Sequence, residues 1–175
     1  MARNPNTVGG GAQTNKNGLH FEQTTELKDV FKNHPNYKLD KNDVYNINGE
    51  KVATLFQKHS LYRNLLKPKG IDYRKYISKK LLPDDAILVH KISTLFIIEK
   101  KFQSKAGSVD EKLQTCDFKK KQYIKLLSPL GIKIEYGYYL SDWFQKDEYR
   151  DVKEYIKSVG CYYFFDEIPL DFLKL

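Results

Sequence analysis

The segment that decides the fold runs from Leu82 to Gln103 and reads LPDDAILVHKISTLFIIEKKFQ. It contains two mostly apolar runs, Ala86–His90 and Thr94–Ile98, separated by Lys91-Ile92-Ser93. Two short runs rich in β-branched and large apolar residues, with a polar connection of this length, are typical of a β-hairpin. The segment therefore predicts two buried, paired strands in the interior of a sheet.

Charged residues stand where the second apolar run ends. Alternate residues of a strand share a face, so Glu99, Lys101 and Gln103 are expected to point one way and Lys100 the other. Charges at the end of a buried strand are costly unless they bind each other or a ligand. This end of the hairpin is therefore the candidate functional site.

The length of the hairpin loop decides which acid lies opposite Glu99. A two- or four-residue loop places Asp84 there, whereas a three-residue loop places Asp85 there. Either register brings two carboxylates together with Cβ atoms about 5 Å apart, a spacing that suits a hard cation such as Mg²⁺. Lys101 on the same face is suited to orienting a water and offsetting charge during phosphodiester hydrolysis.

The remaining sequence predicts an α/β (α+β) domain with a central mixed sheet flanked by helices. The predicted elements are a helix over 17–31 ended by Pro35, a hairpin over 43–56 with an Asn48-Gly49 turn, a short helix over 61–66, a helix from Ser108 to about Leu127, a strand over 132–140, a helix over 147–158, a strand over 161–165 and a terminal turn or helix over 169–175. Residues 1–14 are predicted to be a flexible arm, and 15–175 a single domain.

The charge distribution favours a polyanionic partner. The chain has 30 basic and 22 acidic side chains, a net charge of +8. Residues 58–80 concentrate basic side chains and tyrosines, a combination that suits phosphates and exposed bases, although a solvated basic surface is the alternative. Candidate DNA contacts are Lys67, Lys69, Arg74, Lys75, Gln103, Ser108 and Lys112. We interpret Lys119, Lys120 and Lys121 as solvated charges.

Several classes of protein are disfavoured. The two cysteines, Cys116 and Cys161, are too few for a zinc site and are predicted to be buried thiols, and the four histidines are scattered. Neither a signal peptide nor an apolar span of about 18 residues is evident. We therefore expect a cytoplasmic protein with no membrane partner and no small-molecule cofactor.

The segment from Pro83 to Lys101 resembles the motif of the PD-(D/E)XK nuclease superfamily, particularly of the type II restriction endonucleases. Pro83-Asp84 matches its first element and Glu99-Lys100-Lys101 its second, and a helix beginning GSVDEKLQT at Gly107 follows. The resemblance covers about residues 15–140 and implies a restriction-endonuclease-like core in the order αβββαβ. It implies Asp84 and Glu99 as metal ligands and Lys101 as the catalytic lysine. The second acid, Asp85, leaves the identity of the Asp ligand open.

The resemblance also suggests roles for two further groups. The backbone carbonyl of Lys100 is implied as another metal ligand. In many members an acid from the first helix completes the site, and here Glu22 is the candidate. The implied cofactor is Mg²⁺, for which Mn²⁺ can substitute.

The implied function is that of a Mg²⁺-dependent endonuclease that cleaves double-stranded DNA at a short specific site, acting as a homodimer. Three alternatives stay open at this point. They are a repair or junction nuclease with the same fold, a nucleic-acid-binding module that does not cut, and a basic scaffold for an acidic protein.

Overall fold

The computed structural model describes residues 27–104 and 109–175. The predicted flexible arm over 1–14, Glu22 and Ser108 lie outside the described residues. Of the helix predicted over 17–31, the structure describes residues from Leu27 onward. This helix, α1, spans Leu27–Lys32 and ends before Pro35, which cannot donate the backbone hydrogen bond that a helix interior needs.

The strands of the described residues form one mixed sheet. Their bounds are Tyr37–Asp40 for β1, Asp43–Asn46 for β2, Lys51–Phe56 for β3, Asp85–Val89 for β4, Thr94–Lys101 for β5, Lys133–Leu140 for β6 and Tyr162–Phe164 for β7. Spatial neighbours follow chain order. The first five strands pair antiparallel, while β6 and β7 join in parallel. A strand that joins its predecessor in parallel needs a crossover connection. Helices lie in both such connections, between β5 and β6 and between β6 and β7.

Further helices lie between and after the later strands. They are α2 at Val109–Leu113, α3 at Cys116–Leu127, α4 at Arg150–Ser158 and α5 at Leu170–Leu173, and a short π-helix covers Tyr62–Leu66. Across 27–104 and 109–175, no helix combines the length and apolar character that a membrane crossing requires.

Alternate residues of the central strands face two separate hydrophobic cores. Ile87 of β4 contributes to a core covered by α1 and α5. Its neighbour Leu88 contributes to a larger core that contains residues of α3 and α4. Both faces of the sheet are therefore covered by helices, which confirms the predicted mixed sheet flanked by helices.

Both predicted hairpins are present. The turn between β2 and β3 contains Gly49 with φ of 77°, a backbone conformation that glycine adopts without a steric penalty. Four residues, 90–93, connect β4 to β5, and Val89 lies opposite Thr94. The four-residue loop fixes the register that the sequence left open.

Two features differ from the sequence analysis. Strand β1 was not predicted, because it has only four residues. Its apolar alternation is limited to Tyr37 and Leu39, which is too short to identify a strand by periodicity. The helix predicted from Ser108 to Leu127 is interrupted between α2 and α3. There, the Thr115 hydroxyl donates to the Lys112 carbonyl at 2.7 Å, and side-chain hydrogen bonds of this kind compete with helix continuation.

Candidate metal and nucleic-acid site

Asp84 and Glu99 lie on the same face of the β4–β5 hairpin. Asp85 pairs with Ile98, and continuing this antiparallel register by one residue places Asp84 opposite Glu99. Their side chains are only 10% and 9% exposed. The structure therefore selects Asp84 over Asp85 as the acid that faces Glu99.

Lys101 stands between these two carboxylates. Its Nζ lies 3.2 Å from Glu99 Oε2 and 3.8 Å from Asp84 Oδ2. The same ammonium donates to the backbone carbonyl of Lys100 at 3.0 Å. One cationic group thus contacts both acids and the carbonyl that the sequence analysis proposed as metal ligands, so these oxygen atoms converge on one small volume.

Two further lysines reach the site, and the sequence analysis missed both. Lys119 of α3, interpreted above as a solvated charge, lies 3.1 Å from Glu99 Oε2. Lys58 donates from its side chain to Asp84 Oδ1, and its backbone N–H donates to the Pro83 carbonyl at 2.8 Å. Lys120 and Lys121, by contrast, pair with acids away from this site.

A signal for Lys119 was present in the sequence. In the predicted helix from Ser108 to Leu127, Lys119 comes three residues after Cys116 and four residues before Tyr123. Residues at these spacings share one face of a helix, so Lys119 lies on the same face as these two less polar side chains. No comparable signal exists for Lys58, because its approach to Asp84 depends on how β3 and β4 pair.

The pKa of Asp84 is lowered from the ordinary carboxyl value. Burial alone would raise it, but the ammonium groups of Lys101 and Lys58 and the Lys100 N–H, which donates to Oδ2 at 2.9 Å, together outweigh burial. Asp84 is therefore ionised at neutral pH. Its favourable contribution to stability is present above the unfolded-state pKa and is lost as the pH falls through the lowered value.

Asp85 lies on the opposite face of the hairpin, so the alternative that made it a metal ligand beside Glu99 is wrong. Its Oδ2 lies 2.7 Å from Lys100 Nζ, and the two side chains are 4% and 3% exposed. Gln57 Nε2 donates to Oδ1 at 2.7 Å, and the Leu27 N–H at the start of α1 donates to Oδ2 at 3.4 Å. Burial raises the pKa of Asp85 despite these partners. Asp85 therefore joins the first helix to the hairpin.

We expect Asp85→Asn to destabilise the fold by about 3–5 kcal/mol, because it removes the carboxylate charge 2.7 Å from the buried Lys100 ammonium. Chemical denaturation followed by circular dichroism measures this loss. Asp43→Asn is the matched control, since Asp43 pairs with Lys51 at the same 2.7 Å but on the surface, and its expected loss is about 1 kcal/mol or less. Equal losses in the two variants would contradict a structural role for the buried pair.

The oxygen donors at the Asp84–Glu99 face fit a Mg²⁺ ion. Mg²⁺ commonly uses one or two carboxylates and keeps several waters or substrate oxygens. Asp84, Glu99 and the Lys100 carbonyl supply two carboxylates and one neutral oxygen. Among the described residues, no cluster of three or more His, Cys, Asp or Glu side chains suited to a metal is found, and Glu22, the predicted third acid, lies outside them.

Gln103, a predicted DNA contact, is 2% exposed, so its side chain is enclosed by the protein in this structure. Its backbone N–H donates to the Ser141 hydroxyl at 3.1 Å, and that hydroxyl donates to the Gln103 carbonyl at 3.2 Å. These bonds tie the end of β5 to the end of β6. Within the part of the chain that the structure describes, the buried side-chain amide of Gln103 has no hydrogen-bond partner.

The other predicted DNA contacts lie on the surface. Lys67, Lys69, Arg74 and Lys75 are exposed on the connection between β3 and β4, and Lys112 is exposed on α2. Arg74 is bound to Asp72, with Nη2 and Oδ2 2.8 Å apart. Both cysteines are buried free thiols, as the sequence predicts.

Comparisons with known proteins give no match: no family model fits the chain, and searches of curated proteins and of solved structures found no similar protein. The relationship to the PD-(D/E)XK nucleases stays a prediction. It depends on the motif residues and on the geometry of the site.

Proposed function

We propose that this protein is a Mg²⁺-dependent DNA endonuclease of the PD-(D/E)XK type. The observation that carries the proposal is the convergence of Asp84, Glu99 and Lys101 at the end of one hairpin, where the Lys101 ammonium contacts both carboxylates. Two acids and a lysine on one face are the residue types that metal-assisted phosphodiester hydrolysis needs.

The order of elements also supports the proposal. Strands β3, β4 and β5 form a continuous antiparallel unit, α3 follows, and β6 then joins β5 in parallel. This succession corresponds to the three strands, helix and strand of the expected αβββαβ core. Strands β1 and β2 stand between α1 and this unit, as an insertion into that order.

Asp84, Glu99 and the Lys100 carbonyl would hold the Mg²⁺ ion. When bound, the ion supplies Lewis-acid polarisation of the scissile phosphate and lowers the pKa of a coordinated water. The Lys101 ammonium, which contacts both carboxylates, would orient the attacking water and balance charge that develops on the phosphate.

Lys58 and Lys119 add cationic charge at the two sides of the same site. Each contacts one of the two acids, Asp84 and Glu99 respectively, so among the described residues three ammonium groups face these two carboxylates. This excess of positive charge suits a phosphodiester substrate, whose own charge then offsets it.

The particular activity we propose is that of a type II restriction endonuclease that cleaves double-stranded DNA at a short site. A two-fold symmetric DNA site favours a two-fold symmetric protein, so we propose a homodimer. A repair or junction nuclease would use the same chemistry on a different DNA structure.

We expect the purified protein to cleave plasmid DNA with Mg²⁺ and to lose this activity in EDTA, with Mn²⁺ restoring it. Agarose electrophoresis of the digests measures the outcome. Discrete fragments indicate a specific site, and sequencing of the fragment ends identifies it. DNA binding without cleavage under every metal condition would contradict the proposal and favour the non-catalytic binding module.

A further inference from the structure

A cavity of about 490 Å³ opens on the basic connection between β3 and β4. Its volume lies within the range of about 300–1,000 Å³ that is usual for small-molecule sites. Residues from the π-helix and the following turns line it: Tyr62, Arg63, Leu66, Lys67, Gly70, Ile71, Asp72, Tyr73, Arg74 and Lys80. None of these residues belongs to the Asp84–Glu99 site.

The walls of this cavity are aromatic and apolar. The rings of Tyr62 and Tyr73 lie edge to face, with centroids 5.7 Å apart. The Lys80 ammonium lies 5.3 Å from the Tyr62 ring centre and 4.9 Å from that of Tyr73, and Leu66 and Ile71 complete the apolar lining. Such walls accept the face of a planar aromatic ligand.

The rim of the cavity is strongly basic. Four cations face one acid among the lining residues, and that acid, Asp72, is already bound by Arg74. Arg63 and Lys67 are both exposed, and over the described residues neither has an ion-pair partner. They are therefore available to an anionic group on the same ligand.

The cavity is connected to the proposed catalytic site through Tyr62. The Tyr62 hydroxyl donates to the Leu81 carbonyl and accepts from the Leu81 N–H, both at 2.9 Å. Leu81 begins the short segment that leads to Asp84. The wall of the cavity thus helps to position the chain that carries a proposed metal ligand.

The π-helix that lines the cavity is a second indication of function. The Lys67 N–H donates to the Tyr62 carbonyl, five residues earlier. Such π-helical turns are rare and frequently occur at functional sites. Here the turn brings Tyr62, Arg63 and Lys67 to one opening.

We infer that this cavity binds one unstacked nucleotide of the DNA substrate, with its base against Tyr73 and its phosphate on Arg63 and Lys67. The inference rests on the proposed function, whose substrate class it specifies. In paired duplex DNA the faces of the bases are stacked, so the nucleotide must either be unpaired already or be extruded from the duplex.

The test is a DNA-binding measurement in EDTA, so that no cleavage occurs. Fluorescence anisotropy gives the affinity for a paired duplex, for the same duplex with one unpaired nucleotide, and for the single strand. A 2-aminopurine base in the paired duplex reports unstacking through its fluorescence. Wild-type protein is compared with Tyr73→Leu, which keeps an apolar wall but removes the ring.

Either of two results would support the inference, and they distinguish a nucleotide that is already unpaired from one that the protein extrudes from the duplex. Tighter binding of the DNA with the unpaired nucleotide, lost in Tyr73→Leu, indicates a nucleotide that is already unpaired. Equal binding of both duplexes, with a 2-aminopurine fluorescence increase that Tyr73→Leu abolishes, indicates extrusion from the duplex. The inference would be overturned if Tyr73→Leu had the same relative affinities for the three DNAs and the same 2-aminopurine fluorescence as the wild-type protein.

A charge-matched pair of double variants tests the rim. We expect Arg63→Ala with Lys67→Ala to weaken binding of the preferred DNA about fivefold or more beyond the effect of Lys69→Ala with Lys75→Ala. The second pair removes the same charge from exposed positions of the same connection that do not line the cavity. Equal weakening of all DNAs by both pairs would overturn the inference, because the connection would then be a general polyanion-binding surface.

Failure of the cavity and failure of the nuclease proposal are distinguishable. The binding pattern is measured in EDTA and therefore does not depend on catalysis. If the protein cleaves DNA with Mg²⁺ but shows no preference that depends on Tyr73, the nucleotide site is refuted and the nuclease proposal stands. If the protein shows this preference but does not cleave, the proposed activity is refuted and the nucleotide site stands.

Discussion

Replacing Lys101 by alanine is expected to lower the rate of Mg²⁺-dependent DNA cleavage by about 100- to 10,000-fold. The ammonium contacts both proposed metal-binding carboxylates, and a positioned group that assists proton transfer or charge stabilisation contributes an effect of this size. Single-turnover cleavage of a labelled DNA, at a saturating protein concentration, isolates the chemical step from binding.

Two lysine variants make this result specific. Lys119→Ala removes the other ammonium on Glu99 Oε2 and is expected to have a smaller effect, since in the structure Lys101, unlike Lys119, also faces Asp84. Lys133→Ala removes an exposed lysine at the opposite end of the parallel β5–β6 pair and should cleave normally. Cleavage by Lys101→Ala at the wild-type rate would show that Lys101 is not catalytic.

Glu99→Gln is expected to reduce Mg²⁺-dependent cleavage about a thousandfold or more. It removes one of the two carboxylates proposed to hold the ion, and the ion's contribution to catalysis is several kcal/mol. In EDTA the same variant should bind DNA more tightly than wild-type protein does. The substitution removes a negative charge near the phosphate and leaves Lys101 and Lys119 without their shared acceptor charge.

Glu135→Gln provides a matched control for this variant. Glu135 lies on the neighbouring strand β6 and pairs with Lys120, also from α3, at 3.2 Å. The control therefore disrupts a similar strand-to-helix ion pair away from the site, and cleavage and metal dependence should be unchanged. Mg²⁺ titrations of the cleavage rate and anisotropy in EDTA measure both effects. An unaltered Mg²⁺ dependence in Glu99→Gln would contradict its role as a ligand.

Together, the two proposals describe a nuclease that would contact its DNA substrate at two regions of the protein. The hairpin end would position the scissile phosphate, and the basic connection would hold a nearby nucleotide outside the base stack. The Leu81 hydrogen bonds of Tyr62 join these two regions, so occupation of the cavity is expected to influence the position of Asp84.

The sequence predicted the parts of the fold that depend on short-range periodicity. The β4–β5 hairpin, the Asn48-Gly49 turn and strand β6 follow from apolar runs and turn residues that lie close together in the chain. The placement of Glu99 and Lys101 on one face follows from the two-residue repeat of a strand. These features need no knowledge of distant contacts.

Features that depend on distant contacts were missed or left open. The loop length that decides between Asp84 and Asp85 is a property of the paired hairpin, and the backbone of Gln103 is hydrogen-bonded to Ser141, 38 residues away. The arrival of Lys58 at Asp84 depends on the pairing of β3 with β4. Sequence periodicity carries little information about such contacts.

The amino-acid sequence by itself determined that two acids and a lysine would stand at the end of a buried hairpin, because strand alternation is a local property of the backbone. Tertiary structure alone decided which aspartate faces Glu99 and that the other one is buried against Lys100. It also decided that lysines from α3 and from the segment after β3 reach the site. Those outcomes depend on strand register and helix packing, which arise only when distant segments of the chain come together.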